Sequence, residues 1–369
     1  MAKLLGCSLF VIALLAGCSA GANRGPMLPA AGSQPAGAAK TMPNGASPAR
    51  SDAANHMMIA DQFNNRVIEI NRDHQIVWSF GDGSSVAGPH SVVAPNDEER
   101  YGAFTLIAGT GAPQGSEPGC QSAPCQDNRV IIVNHAGEIV WQYGKTGMPG
   151  SGPDELNTPV CAVRLPNGDI LITDQVNERV IQVTEDKRVV WQYGMTGVSG
   201  AGHDQLNNPN SAELLPNGHI LIADENNNRV IEVTRDKRIV WRYGSPSDTK
   251  RLSGAAFASR LSNGDTLITD SLNNRIVEVS HDKKVVWRYV TNRRKGSVAN
   301  PNPTRAVRLR NGDTLISDQF NMQVIQVNHD GKIVFKQGRI GVAGTGPDQL
   351  NAPYDAKVVG DFTGLTPPH

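Results

Sequence analysis

The chain has 369 residues, 35 Lys+Arg against 35 Asp+Glu, and a formal net charge of zero. With no basic stripe and no acidic tail, the composition excludes a nucleic-acid footprint as the basis of function. Glycine (38) and proline (23) are abundant, aromatics make up 5 %, and no long helical period appears, which points to an all-β protein of many short strands.

Met1-Ala2-Lys3 is a short basic start, and Leu4 to Ala16 is an apolar run of signal-peptide length, too short to span a bilayer as a mature helix. It ends in Leu15-Ala16-Gly17-Cys18, which resembles the bacterial lipobox. That resemblance implies cleavage after residue 17 and lipidation of Cys18, whose thiol alone can form the thioether. Ser19, rather than Asp, follows the cysteine, a pattern that in Gram-negative bacteria implies outer-membrane sorting. The expected partner is therefore the membrane, through lipidated Cys18, with the chain facing the periplasm. Residues 18–55 are rich in Ala, Gly, Pro and Ser. They hold too little apolar side chain to bury a core and are expected to form a flexible tether.

From residue 56 onward one unit recurs. In its clearest copy Asn167-Gly168 opens a tight hairpin, because both central residues of such a turn need positive φ. Ile170 to Thr173 is an apolar run suited to a strand buried on both faces, and Asp174 to Glu178 is a polar loop. Arg179 to Val183 alternates with a β-branched bias, Asp186-Lys187-Arg188 turns the chain, and a last strand runs to Trp191. The polar loop returns at Asp61, Asp127, Asp224, Asp270 and Asp318, and the closing aromatic at Trp78, Trp141, Trp241, Trp287 and Phe335. A period near fifty with four short strands per unit is the mark of a β-propeller. The second unit is longer and contains Cys120 and Cys125; in an exported chain that close pair is read as a disulfide pinning an insertion.

The first unit lacks an innermost strand, and the chain ends with one, Pro353-Tyr354-Asp355-Ala356. Its linker, Gly346-Pro347-Asp348-Gln349-Leu350-Asn351, matches Gly152-Pro153-Asp154-Glu155-Leu156-Asn157. The expectation is an all-β, six-bladed β-propeller over 56–361 with four-stranded antiparallel blades. The C-terminal strand completes blade one, closes the ring and removes a free sheet edge. The blades are placed at 56–80 plus 350–361, 81–144, 145–194, 195–244, 245–290 and 291–338, with a disordered tail at 362–369.

The pattern Asp-x-x-Asn-x-Arg-Val after a Gly-initiated strand, with linkers ending in Asn-x-Pro, resembles the NHL repeat. The Asp-Lys-Arg-Val-Val-Trp hairpins are also similar to those of arylsulfotransferase-like and quinoprotein-like propellers. The resemblance implies a fold that hosts both binding platforms and enzymes, so function has to come from the site. Blade two departs from the pattern at Gly109, and blade six at Met322 and Gln323.

A site is expected at the channel mouth on the face that carries the linkers between blades. Six pairs are expected to head the inner strands: His90-Ser91, Val160-Cys161, Asn210-Ser211, Ala256-Phe257, Thr304-Arg305 and Tyr354-Asp355. From these come the ligand-binding candidates His90, Ser91, Asn210, Arg305, Tyr354 and Asp355. Arg305 is suited to an anion and His90 is the candidate base or nucleophile. The structural alternative is that these residues pair with one another and plug the channel. The near-ring of aspartates suggests a metal, but four of them have an Arg five residues on: Asp61 with Arg66, Asp174 with Arg179, Asp224 with Arg229, and Asp270 with Arg275. Pairs that fix the loop explain the pattern better, and the loop that has Gln323 instead of Arg is expected to be looser. Arg293-Arg294-Lys295 is read as solvated loop charge, the outer-strand tryptophans as packing between blades, and His74, His219, His281 and His329 as surface residues in hairpins.

No metal or cofactor is predicted. The reading is a lipid-anchored, monomeric binding or scaffold module that presents its linker face to a protein, glycan or small ligand, without turnover. The alternative is a periplasmic enzyme, arylsulfotransferase-like or lyase-like, using His90 with Arg305.

Overall fold

The structure, a computed structural model, describes residues 56–367. The expected signal sequence, Cys18 and the tether lie outside the described residues, as do residues 368 and 369.

Turns that demand positive φ make each strand pair with its chain neighbour. Gly168 (φ 90°) and Lys187 (φ 64°) turn blade three at its two hairpins on one face. The result is a four-stranded antiparallel meander of Pro159–Arg164, Ile170–Asp174, Arg179–Val183 and Val189–Tyr193. Six such sheets form, and the sheet of blade one is completed by Pro353–Val358, which pairs with Met57–Asp61 so that Ile59 faces Ala356. The protein is a six-bladed all-β propeller closed by its C-terminal strand. The second and third strands of each blade are buried on both faces, and their apolar side chains meet those of the next blade. Leu106, Val130 and Ile132 of blade two, for example, cluster with Ile172 and Ile181 of blade three.

The outer-strand tryptophans fasten the blades. Each donates its indole N–H to a hairpin carbonyl of the following blade: Trp78 to His135, Trp141 to Glu185, Trp191 to Arg235, Trp241 to His281 and Trp287 to His329, at 2.8 to 3.2 Å. The Cys120–Cys125 disulfide closes the blade-two insertion, with Cα atoms 5.4 Å apart.

Three expectations are corrected. The inner strand of blade two is Pro95–Tyr101, not a strand headed by His90-Ser91. Pro95-Asn96-Asp97 looks like a turn in sequence, yet Pro95 sits opposite Gly109 as Pro159 sits opposite Asp174, with the same bulge after it. The C-terminal tail is packed through residue 366: the Thr366 hydroxyl donates to the Leu214 carbonyl (2.6 Å), and Asp361 binds the Arg310 backbone N–H (3.0 Å). The segment therefore reaches on the hairpin face from blade one past blades six and five to blade four. The blade-six loop is not short of a cation either. Arg294, on the preceding linker, pairs with Asp318 and donates to Gln323 (2.8 Å), so the run Arg293-Arg294-Lys295 is not simply solvated charge.

Candidate functional site

The recurring Asp-x-x-Asn-x-Arg pattern builds the linker face. In blade four the Asp224 carboxylate accepts the Asn207 backbone N–H (2.8 Å), the Asn227 amide (2.8 Å) and Arg229 Nε (2.6 Å). Arg229 then binds the linker carbonyls of Ala201 and Gln205. Asp61–Arg66, Asp174–Arg179 and Asp270–Arg275 repeat the ion pair at 2.6 to 2.8 Å. Burial raises each of these carboxyls and the adjacent Arg opposes it. These pairs hold the loops and leave no open ligand set. In blade two the acid moves to Asp127, paired with Arg129 at 2.6 Å. Gly109 makes room for it, since a Cβ there would lie 2.6 Å from the Asp127 carboxyl carbon.

The inner strands are sheet edges facing the channel, so their N–H groups need acceptors from neighbouring blades. Acidic and hydroxyl side chains supply them. Asp97 accepts the Ala162 N–H (2.7 Å) and Glu99 the Arg164 N–H (3.3 Å); Ser211 accepts from Ala258 (3.3 Å) and Glu213 from Arg260 (3.0 Å). Lys357 neutralises part of this charge. Its ammonium binds Asp97 (2.6 Å), the Glu98 carbonyl (2.6 Å) and the Asp355 carboxylate, and lies 3.8 Å from the Glu98 carboxylate. Burial pushes Asp97 up to about 6, against the pull of Lys357, and Glu99 up to about 8. It drives Glu98 well above the carboxylate range, with the neighbouring Asp355 charge adding to it. Burial also works against ionised Asp355, but Lys357, Asp97 and Arg305 together hold its carboxyl below the usual range.

Above this layer Arg305, 1 % exposed, closes the channel on the linker side. Its guanidinium reaches the Asn210 amide oxygen (2.9 Å) and the carbonyls of Ala256 (3.1 Å) and Val160 (3.0 Å), and it lies over the rings of Phe257 and Tyr354. The Asn210 amide in turn donates to the Tyr354 hydroxyl (2.9 Å) and Glu225 (2.8 Å). Asn210, Arg305 and Tyr354 therefore form a buried plug rather than lining an open pocket, with Arg305 Nε left unbonded, while Asp355 belongs to the Lys357 layer beneath. His90 is exposed and lies over blade two beside Gly88, Arg129 and Gln142. The structure does not bring it to Arg305, and Ser91 is spent on the Val86 carbonyl (2.6 Å).

Around the plug on this face runs a collar with a largely buried polar ring and a partly exposed apolar rim, which the repeat pattern carries. The residue after the loop acid is polar in every blade and several of them meet: Gln62 binds Asn96 (2.7 Å) and Gln319 (2.8 Å), and Gln175 reaches Glu225 (3.4 Å). The next residue points outward and is apolar in four blades. Val176 is 48 % and Leu272 57 % exposed, and Phe63 and Phe320 are half-buried. The signal was present in the repeat, as apolar side chains at a fixed position in an otherwise polar loop.

No protein-family model matches the sequence, and no curated protein matches it. Solved structures do resemble it. A protein of unknown function from Bacteroides caccae shares 15 % identity over 77 % of this chain and 93 % of its own, with a TM-score of 0.54. Virginiamycin B lyase from Staphylococcus aureus shares 14 % over 79 % of this chain and 86 % of its own, with a TM-score of 0.48. A chain of a nidogen/laminin complex shares 13 % over 76 % of this chain and 92 % of its own, with a TM-score of 0.49. At these identities the likeness concerns the propeller fold alone.

Proposed function

We propose that this protein is a lipid-anchored, periplasm-facing propeller of the NHL type that binds a protein, glycan or small ligand through its linker face, without turnover. The observation that carries this reading is the collar. Exposed Val176 and Leu272, with Phe63 and Phe320, surround a polar ring of Gln62, Gln175, Glu225 and Gln319 on a rigid floor. An apolar rim around fixed hydrogen-bonding groups is the make-up of a binding surface. The candidates for chemistry support binding over turnover: Arg305 and Tyr354 are buried in the plug and Asp355 in the layer beneath it, away from exposed His90. On this reading Cys18 carries the lipid. The described chain enters the propeller at Met57, on the hairpin face, the face opposite the collar.

Photo-cross-linking side chains placed at Val176 and Leu272 of the full-length protein in cells test the surface. A discrete adduct from both positions that is lost in Glu225→Lys is expected, with none from Val190 on an outer strand. Equal labelling from all three positions overturns the reading. Cys18→Ser is expected to abolish labelling by a clickable palmitate analogue; labelling that persists removes the anchor from the proposal.

A further inference from the structure

At three seams between blades a tryptophan, an arginine of the next inner strand and a glutamate form one set. At the seam of blades two and three Ile132 takes the glutamate position and Arg164 lies over Tyr101, and at that of blades three and four Gln182 and Leu214 replace the glutamate and the arginine. Trp78 lies under the Arg100 guanidinium (4.4 Å), which binds Glu69 (2.6 Å). Trp241, Arg260 and Glu232 repeat the set, as do Trp287, Arg308 and Glu278. Trp191 is covered by Arg235, which binds Gln182 (2.6 Å). Where blade six meets blade one, all three positions change: Phe335 replaces Trp, Val358 replaces Arg and Gln326 replaces Glu. Phe335 has no indole N–H to donate to the hairpin of blade one.

A cavity of about 520 Å³ occupies this seam on the hairpin face. Phe335, Val358 and Gln326 line it together with Met57, Ile70 and Leu309, so it stands where four of the other seams hold a tryptophan with a guanidinium over it. Its size is that of a small-molecule site. Its rim is cationic. Arg72 is exposed and has no hydrogen bond or ion pair among the described residues, and Arg310 uses one guanidinium nitrogen on the Gly360 carbonyl (3.0 Å). The carboxylate that lines it, Asp361, is already engaged by the Arg310 backbone N–H and by Thr363, and a second, Asp313, is held behind the lining by the Asn311 and Gln326 amides.

We propose that this cleft binds a planar aromatic anion. The ring fills the space left against Phe335, and the anionic group sits between Arg72 and Arg310. The charge decides the class: two guanidinium groups face one carboxylate that is already bonded, so the rim favours a carboxylate or sulfonate over a cation. The site lies on the face opposite the collar and does not depend on the function proposed above.

The test is fluorescence titration of the full-length protein with 8-anilinonaphthalene-1-sulfonate. Saturable binding at one site is expected. Val358→Arg, which returns the guanidinium of the other seams, is expected to abolish it while leaving the melting temperature unchanged or higher. Phe335→Trp is a second filling variant should Val358→Arg fail to fold. Arg72→Glu with Arg310→Glu is expected to weaken binding at least tenfold, and the uncharged anilinonaphthalene to bind at least tenfold more weakly than the sulfonate. Unchanged titration in a folded filling variant, or equal affinity after charge reversal, overturns the site. Equal affinity for the uncharged ring overturns its assignment to anions.

Discussion

Replacing Lys357 with methionine removes the ammonium from the channel while keeping most of its volume. Asp97, Glu98 and Asp355 then stand together with their ligand atoms within 4.8 Å and lose the cation that all three face. Truncating one partner of a buried ion pair costs about 3–5 kcal/mol, because the remaining charge is stranded without water. For a domain of this size that is a drop of roughly 10 °C in melting temperature. Thermal and denaturant unfolding of the full-length protein at pH 8 measure it. The stranded carboxyls can escape by taking up protons, so the deficit is expected to shrink at pH 5. Adding Asp355→Asn, which removes the charge that Lys357 neutralises most closely, is expected to recover much of the loss. A Lys357→Met protein within about 1 kcal/mol of wild type at pH 8 would show that this layer is already protonated and that Lys357 does not hold it.

The same layer predicts the pH dependence of the wild type. With Asp97 near 6 and Glu99 near 8, the folded chain holds protons that the unfolded chain releases above about pH 4. Their contribution to stability therefore falls as pH rises from 5 to 8, on the order of 5 kcal/mol. Asp355, held low, acts in the opposite sense and only below about pH 4. A denaturant-midpoint series is expected to slope downward, and Glu99→Gln to flatten it; a rising profile refutes the assignment. Arg294→Ala strands Asp318, a buried acid pushed up to about 6, and is expected to cost about 3 kcal/mol. Adding Gln323→Arg restores the pair found in the other blades, and failure to recover stability would show that the linker position itself matters. Replacing Cys120 and Cys125 with serine is expected to cost about 2 kcal/mol, the entropy of so short a loop. Faster amide exchange should be confined to residues 113–124; acceleration in other blades would mean that the insertion carries more of the fold.

The propeller was legible because each of its strands pairs with its neighbour in the chain, and the one exception announced itself through a duplicated linker before Pro353. The aspartate–arginine pairs were legible for the same reason: both partners sit five residues apart in one loop. What failed were interactions whose partners come from different blades. Pro95-Asn96-Asp97-Glu98 carries turn-forming and charged residues, and its place as an inner strand depends on the unpaired N–H groups of Ala162 and Arg164 in the blade beside it. A motif was available. Pro159, Pro209, Pro303 and Pro353 each stand three residues before an alanine, and Glu98 occupies that alanine position in blade two. Arg294 escaped because it serves the next blade from a linker. Arg305, Asn210 and Tyr354 lie together as their places at the heads of inner strands imply, but sequence does not measure a channel, and a guanidinium long enough to reach Asn210 and Val160 becomes a plug. The inner charges of this propeller are buried and mostly serve strand edges or one another, so the residues free to meet a ligand are those that the repeat does not need for itself. Val176 and Leu272 on the linker face and unpaired Arg72 on the hairpin face are such residues.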